Sequence, residues 1–416
     1  MEKVTKKSAW INLGSIQKDV QICLPSPPIF KSFIPSIIQQ LKLCNLMATI
    51  PFEWDTSHCK MRLLRSNSRL KICQLQMGMQ IGYTLLMTAN FFNPLNQDKI
   101  SSSTRMVGLA FLVCFWTTML TRLTFWNNRH EVVQLVNDYV QFETRFLPAP
   151  VPSGWNRGDK ISQILMTLGL LTSAGLPGLM CTMLLVTPCK PPHLGFILFW
   201  KTGNICAVPG WSVRMVILVF DTWMWSNCIP PACFFAFQVY YLGIKCLASY
   251  IKLVIGICKD GNKKSGSSTI LSSFRVYHHI QLLAKLYNFC LQSVFIPTQM
   301  TAACLVIIIG LYTCIKLHSE IPMPGLAFFP LLALDELSMI LISQSAADVY
   351  TRSHIFVRDA PKWGKTLGRG EFITKIMKAT KVIKIRFGST NYIDKMTPLV
   401  YLNFCLTQTV SLVLLS

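Results

Sequence analysis

Charged residues are scarce in this chain of 416 residues. Asp, Glu, Lys and Arg make up 14% of it and hydrophobic residues 51%, whereas a soluble domain carries roughly 25% charged residues. This balance excludes a soluble globular protein and indicates a protein that crosses a membrane several times. Acidic residues are especially few, 18 against 40 basic ones. Because the basic residues lie in blocks between apolar runs, they are typical of loops that fix topology and not of a nucleic-acid surface.

Catalytic and metal-binding motifs are also missing from the sequence. It contains no Gly-rich phosphate loop, no GxSxG, no HExxH and no CxxC pair, so no enzyme activity, metal site or cofactor is predicted. The 16 cysteines are scattered, and most are expected to be small apolar core residues. Cys189 and Cys206 share one predicted outer loop, where they either form a disulfide or stay free.

Apolar runs recur along the chain, and about 20 residues suffice for a helix to cross the roughly 30 Å hydrocarbon layer. Residues 33–50 mix apolar positions with Gln39, Gln40 and Lys42, which favours an amphipathic helix at the inner surface. The predicted fold is an all-α, polytopic bundle of seven transmembrane helices with cytosolic helical extensions. The predicted spans are 72–94, 106–126, 161–187, 213–243, 294–317, 325–347 and 397–416.

Lys and Arg are distributed very unevenly between two sets of loops. The N-terminal segment and the loops 127–160, 244–290 and 347–396 contain 33 of them, and the opposite loops contain 6. Loops rich in basic residues stay on the cytosolic side, so the N-terminus is predicted inside and the C-terminus outside. Three units are expected: a cytosolic N-terminal segment over 1–71, spans one to six with cytosolic extensions over 72–347, and a cytosolic anchor segment with the last span over 348–416.

Carboxylates and aromatic rings inside the predicted spans are the candidates for a binding site. Asp221 lies in span four and Asp335 in span six. A charge at such depth costs roughly 2.5–3.5 kcal/mol, so both should face the bundle, either as satisfied hydrogen-bond partners or as walls of a ligand cavity or ion path. Aromatic residues near the outer ends are either interface anchors or pocket walls. The candidate ligand-binding residues are Phe115, Trp116, Asp221, Trp225, Phe329 and Asp335.

Short motifs spread over nearly the whole chain carry a family resemblance. Residues 51–55 read PFEWD and precede the basic stretch 60–71. An amphipathic stretch over 277–288 follows span four, and the end of the chain contains IRFGS at 385–389 and TPL at 397–399. With these motifs and its order of spans and loops, the chain resembles the insect-type chemosensory receptors, the gustatory and odorant receptors of arthropods.

The last span departs from the family's best signature, a Thr-Tyr pair followed by five apolar residues and Gln-Phe. Val410 stands in place of Tyr and Ser416 in place of Gln. The resemblance implies a ligand-gated, non-selective cation channel that assembles as a homo- or heterotetramer in the plasma membrane of sensory neurons and binds a small tastant or odorant. Cytosolic helices would form the assembly interface, and the last helices would line the pore with Thr409, Val410, Val413 and Ser416.

Two other functions are compatible with the predicted spans. A secondary transporter would use Asp221, Asp335 and Glu336 as ligands of a coupling ion, although no inverted repeat is visible and seven spans do not divide into equal halves. A G-protein-coupled-type receptor would need an atypical topology, because the usual one places the G-protein-binding tail inside. A ligand-evoked current far larger than one charge per ligand would distinguish a channel from a carrier.

Overall fold

The structure of the chain, a computed structural model, is built almost entirely from helices. It describes residues 29–93, 102–147, 157–189, 192–201, 205–206, 210–264, 267–319, 325–367 and 371–415. The predicted all-α class is confirmed. After a 3₁₀ turn at Lys31–Phe33 come α1 (Ile34–Leu46), β1 (Phe52–Asp55), β2 (Lys60–Leu63), α2 (Asn67–Phe91), α3 (Ser102–Asn127), α4 (Arg129–Phe146), α5 (Arg157–Val186), α6 (Leu194–Phe199), β3 (Trp200–Lys201), β4 (Ile205–Cys206), α7 (Trp211–Cys233), a π-helix (Phe234–Tyr241), α8 (Leu242–Lys264), α9 (Ser267–Leu291), α10 (Phe295–Lys316), α11 (Gly325–Leu367), α12 (Glu371–Ala379), β5 (Arg386–Phe387), β6 (Asn391–Tyr392) and α13 (Thr397–Leu415).

Each predicted span coincides with a helix. The spans correspond to α2, α3, α5, α7, α10, α11 and α13. Among the described residues, five helical stretches are long and apolar enough to cross a membrane by length and composition alone. Helices α2 and α11 are not among them. Both carry polar residues, such as Gln80 in α2 and Glu336 in α11, and both pack against neighbouring helices of the bundle.

The helices pack around one large apolar core, and a second, small cluster lies among α10, α11 and α13. Helix α5 lies along α7, α10 lies against both α3 and α11, and α13 packs on α10 and α11. Aromatic rings fill the contact between α3 and the π-helix, where Phe125 stacks on Phe235 with ring centroids 3.6 Å apart. The interior is therefore formed by helix faces that the chain brings together over long separations.

Helix α1 inserts into the bundle, whereas the sequence predicts that it lies at the inner surface. It buries Ile37, Gln40, Leu41 and Cys44. The Gln40 amide donates hydrogen bonds to Ser173 Oγ at 2.6 Å and to the Pro230 carbonyl at 3.1 Å. These partners lie in α5 and α7, so the amide nitrogen of this polar residue is hydrogen-bonded inside the protein, while its Oε1 has no partner among the described residues.

Two adjacent prolines in the middle of span four predict that this helix bends, and the structure has a π-helix at that place. Pro230 and Pro231 lie inside α7, and each removes a backbone N–H that the helix would otherwise use. The π-helix follows the prolines closely, and α8 continues the helix from there without a break, out of the bundle. A π-helix adds a residue to the turn, which changes the direction in which the side chains after Cys233 point.

The predicted cytosolic extensions correspond to α8, α9 and the second half of α11, which pack against one another. The sequence predicts that the helix over 274–290 continues into span five, and this prediction is wrong. The structure interrupts it at residues 292–294, between α9 and α10. On the outer side, the predicted loop 188–212 contains α6 and the β3–β4 pair. Cys189 is disulfide-bonded, while the side chain of Cys206 lies outside the described residues.

An extended strap connects α12 to the last helix. The amide of Asn288 in α9 donates to the Lys384 carbonyl at 2.8 Å, and the Tyr277 hydroxyl donates to the Lys381 carbonyl at 3.0 Å. The strap then forms the β5–β6 hairpin, whose turn uses Gly388 at a φ of 65°, a conformation that favours glycine. Side chains of α9 thereby fix the position from which α13 begins.

Candidate functional site

A carboxylate from α7 meets a tyrosine from α2 in the outer half of the bundle. The Tyr83 hydroxyl donates to Asp221 Oδ1 at 2.6 Å, and both side chains are buried. A buried carboxyl needs such a donor because its lost hydration is otherwise uncompensated. Asp221 thus faces the bundle interior, as its depth in span four predicts.

Aromatic rings from α3 and α7 surround this pair. The Phe115 ring lies 5.4 Å from the Tyr83 ring and 4.7 Å from the Trp225 ring, between centroids, and Phe111 lies 5.7 Å from Trp225. We call Tyr83, Phe111, Phe115, Asp221 and Trp225 the outer cluster. All five are buried, so the structure brings three of the predicted ligand residues together, but as packed core. Sequence reasoning missed Tyr83 and Phe111.

A histidine from the outer loop covers the outer cluster. The His193 ring lies 5.2 Å from Phe111 and 6.3 Å from Trp225, and it is fully buried. Burial lowers its pKa to about 3, so the ring is neutral at physiological pH. Among the described residues neither ring nitrogen has a hydrogen-bond partner. His193, also missed from sequence, makes the outer side of the cluster a closed aromatic surface.

A cavity of about 80 Å³ lies among α3, α5, α7, α10 and α11. On α3 and α7, which run inward in the predicted orientation, its residues follow those of the outer cluster by about one turn. The cavity therefore lies deeper in the membrane than the cluster. Its wall is mostly apolar, and its polar groups come from Thr117, Thr118, Thr172, Gln299 and Glu336.

The other three predicted ligand residues lie outside the outer cluster. The Trp116 indole N–H points toward α2 and donates to Thr88 Oγ1 at 3.0 Å. Phe329 is buried in α11. The side chain of Asp335 lies outside the described residues, whereas the next residue, Glu336, borders the cavity.

Arg122 links the cavity wall to the middle of α2. From its position near the end of span two, the sequence predicts an arginine that reaches the membrane surface. Instead Arg122 is buried and donates to Gln80 Oε1 at 3.0 Å. The Gln80 amide in turn donates to Thr118 Oγ1 at 3.2 Å. Local spacing could not predict this, because the partners belong to a neighbouring helix.

The predicted pore residues lie on different faces of α13. Thr409 is 3% exposed and its hydroxyl donates to the Cys405 carbonyl, so it points into the protomer. Val410 is 56% exposed. Val413 is half-buried against the core, and Ser416 lies outside the described residues. Of the three described residues, Val410 is therefore the one whose side chain is presented outward.

This arrangement of helices is that of a multi-pass membrane protein. No known family profile matches the sequence, and no curated protein matches it. The structure is similar to that of the insect olfactory receptor OR5 from Machilis hrabei, with a TM-score of 0.63 and 12% identity over 93% of this chain and 100% of that one. The same receptor in complex with eugenol gives a TM-score of 0.58 with the same identity and coverage. The resemblance predicted from the sequence is thus confirmed at the level of the fold.

Proposed function

We propose that this chain is a chemosensory receptor subunit that acts as a ligand-gated cation channel in the plasma membrane of sensory neurons. The cavity carries the proposal. A mostly apolar space with a few hydrogen-bonding groups inside a membrane bundle fits a small amphipathic molecule. The fold is shared with an olfactory receptor whose structure was also solved in complex with eugenol, and this supports the same class of ligand.

The dimensions of the cavity restrict how such a ligand would bind. Its volume is about 80 Å³, whereas an apolar cavity of about 150 Å³ accommodates benzene. An odorant larger than benzene therefore has to displace wall side chains. The hydroxyls of Thr117 and Thr118 and the amide of Gln299 would then meet the polar end of the molecule.

Assembly is inferred from the exposure of the last helix. Only 17% of the apolar window of α13 is buried, against 61% for α10. Lipid can cover part of such a helix, but a pore also requires copies of it around one axis. We infer a tetramer in which α13 lies at the centre. The cytosolic extensions α8, α9 and α11, which carry much of the basic charge, would hold the subunits together.

The pore surface would include Val410 and Val413. Val410 is exposed and Val413 is half-buried, and the two are three residues apart, so they are neighbours on the helix surface. A ring of such apolar side chains closes a narrow pore by excluding water. Thr409 would reach the pore only if α13 rotates, because in the protomer it is turned inward.

Current recording from transfected cells tests this function. The panel should include eugenol, other odorants and tastants, with Gln299→Leu as the cavity variant. Because one hydrogen bond is worth about 0.5–1.5 kcal/mol, the half-maximal concentration of a polar ligand should rise about 3- to 10-fold. Gln74→Leu, at an exposed position of α2, is the matched control and should leave the response unchanged.

The same recordings distinguish the channel from its rival. A channel current reverses at the equilibrium potential of the permeant cations and greatly exceeds one charge per bound ligand. A transporter that couples through Glu336 would give small currents that depend on the substrate gradient. That second result would replace the channel by a carrier.

A further inference from the structure

We propose that ligands reach the cavity sideways from the lipid bilayer, through a groove between α3 and α10 whose inner wall is Thr117 and Ala302. This inference rests on the proposed function, because it assigns the route by which the ligand of that cavity arrives. The molecules concerned are small apolar or amphipathic compounds that are already dissolved in the membrane.

The lateral groove is the larger of the two spaces in this part of the bundle. Its volume is about 500 Å³, and it runs between α3 and α10 below the outer end of α2. Exposed side chains, among them Phe92, Thr301 and Leu305, border it. Nearly all of its other wall is apolar, with the Trp116 ring on one side. Such a surface, turned toward lipid, fits an apolar molecule that partitions into the bilayer.

Two small residues separate the groove from the cavity. Thr117 of α3 and Ala302 of α10 line both spaces. The Thr117 hydroxyl donates to the Val113 carbonyl of its own helix at 2.8 Å, so this hydrogen bond does not tie α3 to α10. One turn deeper, the Gln299 amide reaches Thr121 Oγ1 across the helix contact at 3.4 Å. Helices α3 and α10 are thus joined by a hydrogen bond one turn below Thr117 and Ala302, whereas at the level of these two residues only small side chains lie between the groove and the cavity.

The alternative route from the outer solution meets packed rings. His193, Phe111 and Trp225 are each at most 1% exposed, and they lie between the outer loop and the cavity. Opening this route requires several large side chains to leave close-packed positions together, which is costly in a dense interior. Passage between Thr117 and Ala302 requires a small separation of two helices. The lateral route is therefore the one that needs less rearrangement.

The test fills the groove without altering the cavity. Thr301→Trp and Leu305→Trp each place a large ring at a position that lines the groove and not the cavity. Val216→Trp, at a 69% exposed position of α7, is the matched control. Full-length protein in lipid nanodiscs is mixed with radiolabelled eugenol, and association and dissociation rates are measured. Because a blocking ring must leave its rotamer for the ligand to pass, both rates should fall about 3- to 10-fold, with Kd and the control unchanged.

Any other effect of the groove variants on the rates overturns the route. Unchanged rates would show that ligands arrive elsewhere. Faster rates would show that a lipid tail occupies the groove. A changed Kd, with association and dissociation rates altered to different extents, would show that the groove itself is the binding site. If the wild type binds eugenol without producing current, the channel function fails while the rates still decide the route. If the wild type does not bind eugenol, the ligand class is wrong and the route falls with it.

Discussion

The carboxylate of Glu143 should be a principal determinant of how the N-terminal segment attaches to the protein. It lies on α4 and is completely buried. Its Oε1 accepts hydrogen bonds from the backbone N–H groups of Ile29 at 2.7 Å and Phe30 at 2.6 Å, and from the Tyr250 hydroxyl at 2.8 Å. Its Oε2 accepts from the N–H of Lys31 at 2.9 Å. Glu143 thus satisfies backbone donors at the start of the helical segment that continues into α1.

Replacement of this carboxylate should cost a large fraction of the stability of the protein. Hydrogen bonds to a charged group contribute about 1.5–3 kcal/mol each, and a buried donor without a partner costs about 1–3 kcal/mol. Burial raises the pKa of Glu143, which means that desolvation offsets part of this gain. We expect Glu143→Ala to lose about 4 kcal/mol. Glu143→Gln keeps an oxygen at the Oε1 position and loses only the hydrogen bond from the Lys31 N–H, which would then face the donor NH₂ group of the glutamine. This variant should lose about 1–2 kcal/mol.

Thermal unfolding of the purified protein in detergent measures these differences. Since the folded-state pKa of Glu143 is raised, the stability contributed by this carboxyl is fully present below its unfolded-state pKa and is lost as pH rises through the folded-state pKa. The gap in melting temperature between wild type and Glu143→Gln should therefore narrow as pH rises from about 4. Equal melting temperatures for the Ala and Gln variants, or a gap that widens with pH, would refute the assignment.

Three further predictions concern the rest of the bundle. Asp394 accepts hydrogen bonds at the start of α13, and these lower its pKa. Asp394→Ala should cost about 1 kcal/mol at pH 7 in thermal unfolding, and the difference should begin to shrink below about pH 4, the unfolded-state pKa, and disappear as pH falls through the lowered folded-state pKa. Asp221→Asn should keep folding but weaken the Tyr83 hydrogen bond, shifting ligand potency in current recordings without loss of surface expression. Cys304 of α10 and Cys405 of α13 are free cysteines in contact with each other. Copper phenanthroline should therefore cross-link them and abolish the ligand-evoked current, and the Cys405→Ala variant should keep its current in the presence of the reagent.

The number and order of the spans could be predicted because both depend on composition. A long run of apolar residues indicates a membrane span, and a block of basic residues indicates a cytosolic loop, wherever they occur in the chain. The placement of α1 could not be predicted in this way. Its pattern is that of any amphipathic helix, and the groups that receive Gln40, Ser173 Oγ and the Pro230 carbonyl, lie 133 and 190 residues away.

The candidate site was predictable only where a residue type is costly in a membrane. The depth of Asp221 requires an interior partner, but nothing local identifies Tyr83, which is 138 residues distant. The burial of His193 follows from how the outer loop folds over the bundle. Thr118 and Gln299 carry no signal at all, since threonine and glutamine occur on helix surfaces of many kinds. The position of each of these four residues in the site depends on which helices pack together, and a single sequence does not encode this locally.

If the chain is the channel that we propose, helix α10 connects the cavity to the pore helix. Gln299 and Ala302 on one face line the cavity, while Cys304 and Ile307 on another pack with Cys405 of α13. The cavity, at about 80 Å³, is smaller than the about 150 Å³ that holds benzene, so a ligand must push its walls apart. Close-packed interiors transmit such a displacement instead of absorbing it. Because α13 is the least buried of the apolar spans, it has the fewest contacts to resist the movement of α10, and we expect ligand size to determine how far it moves.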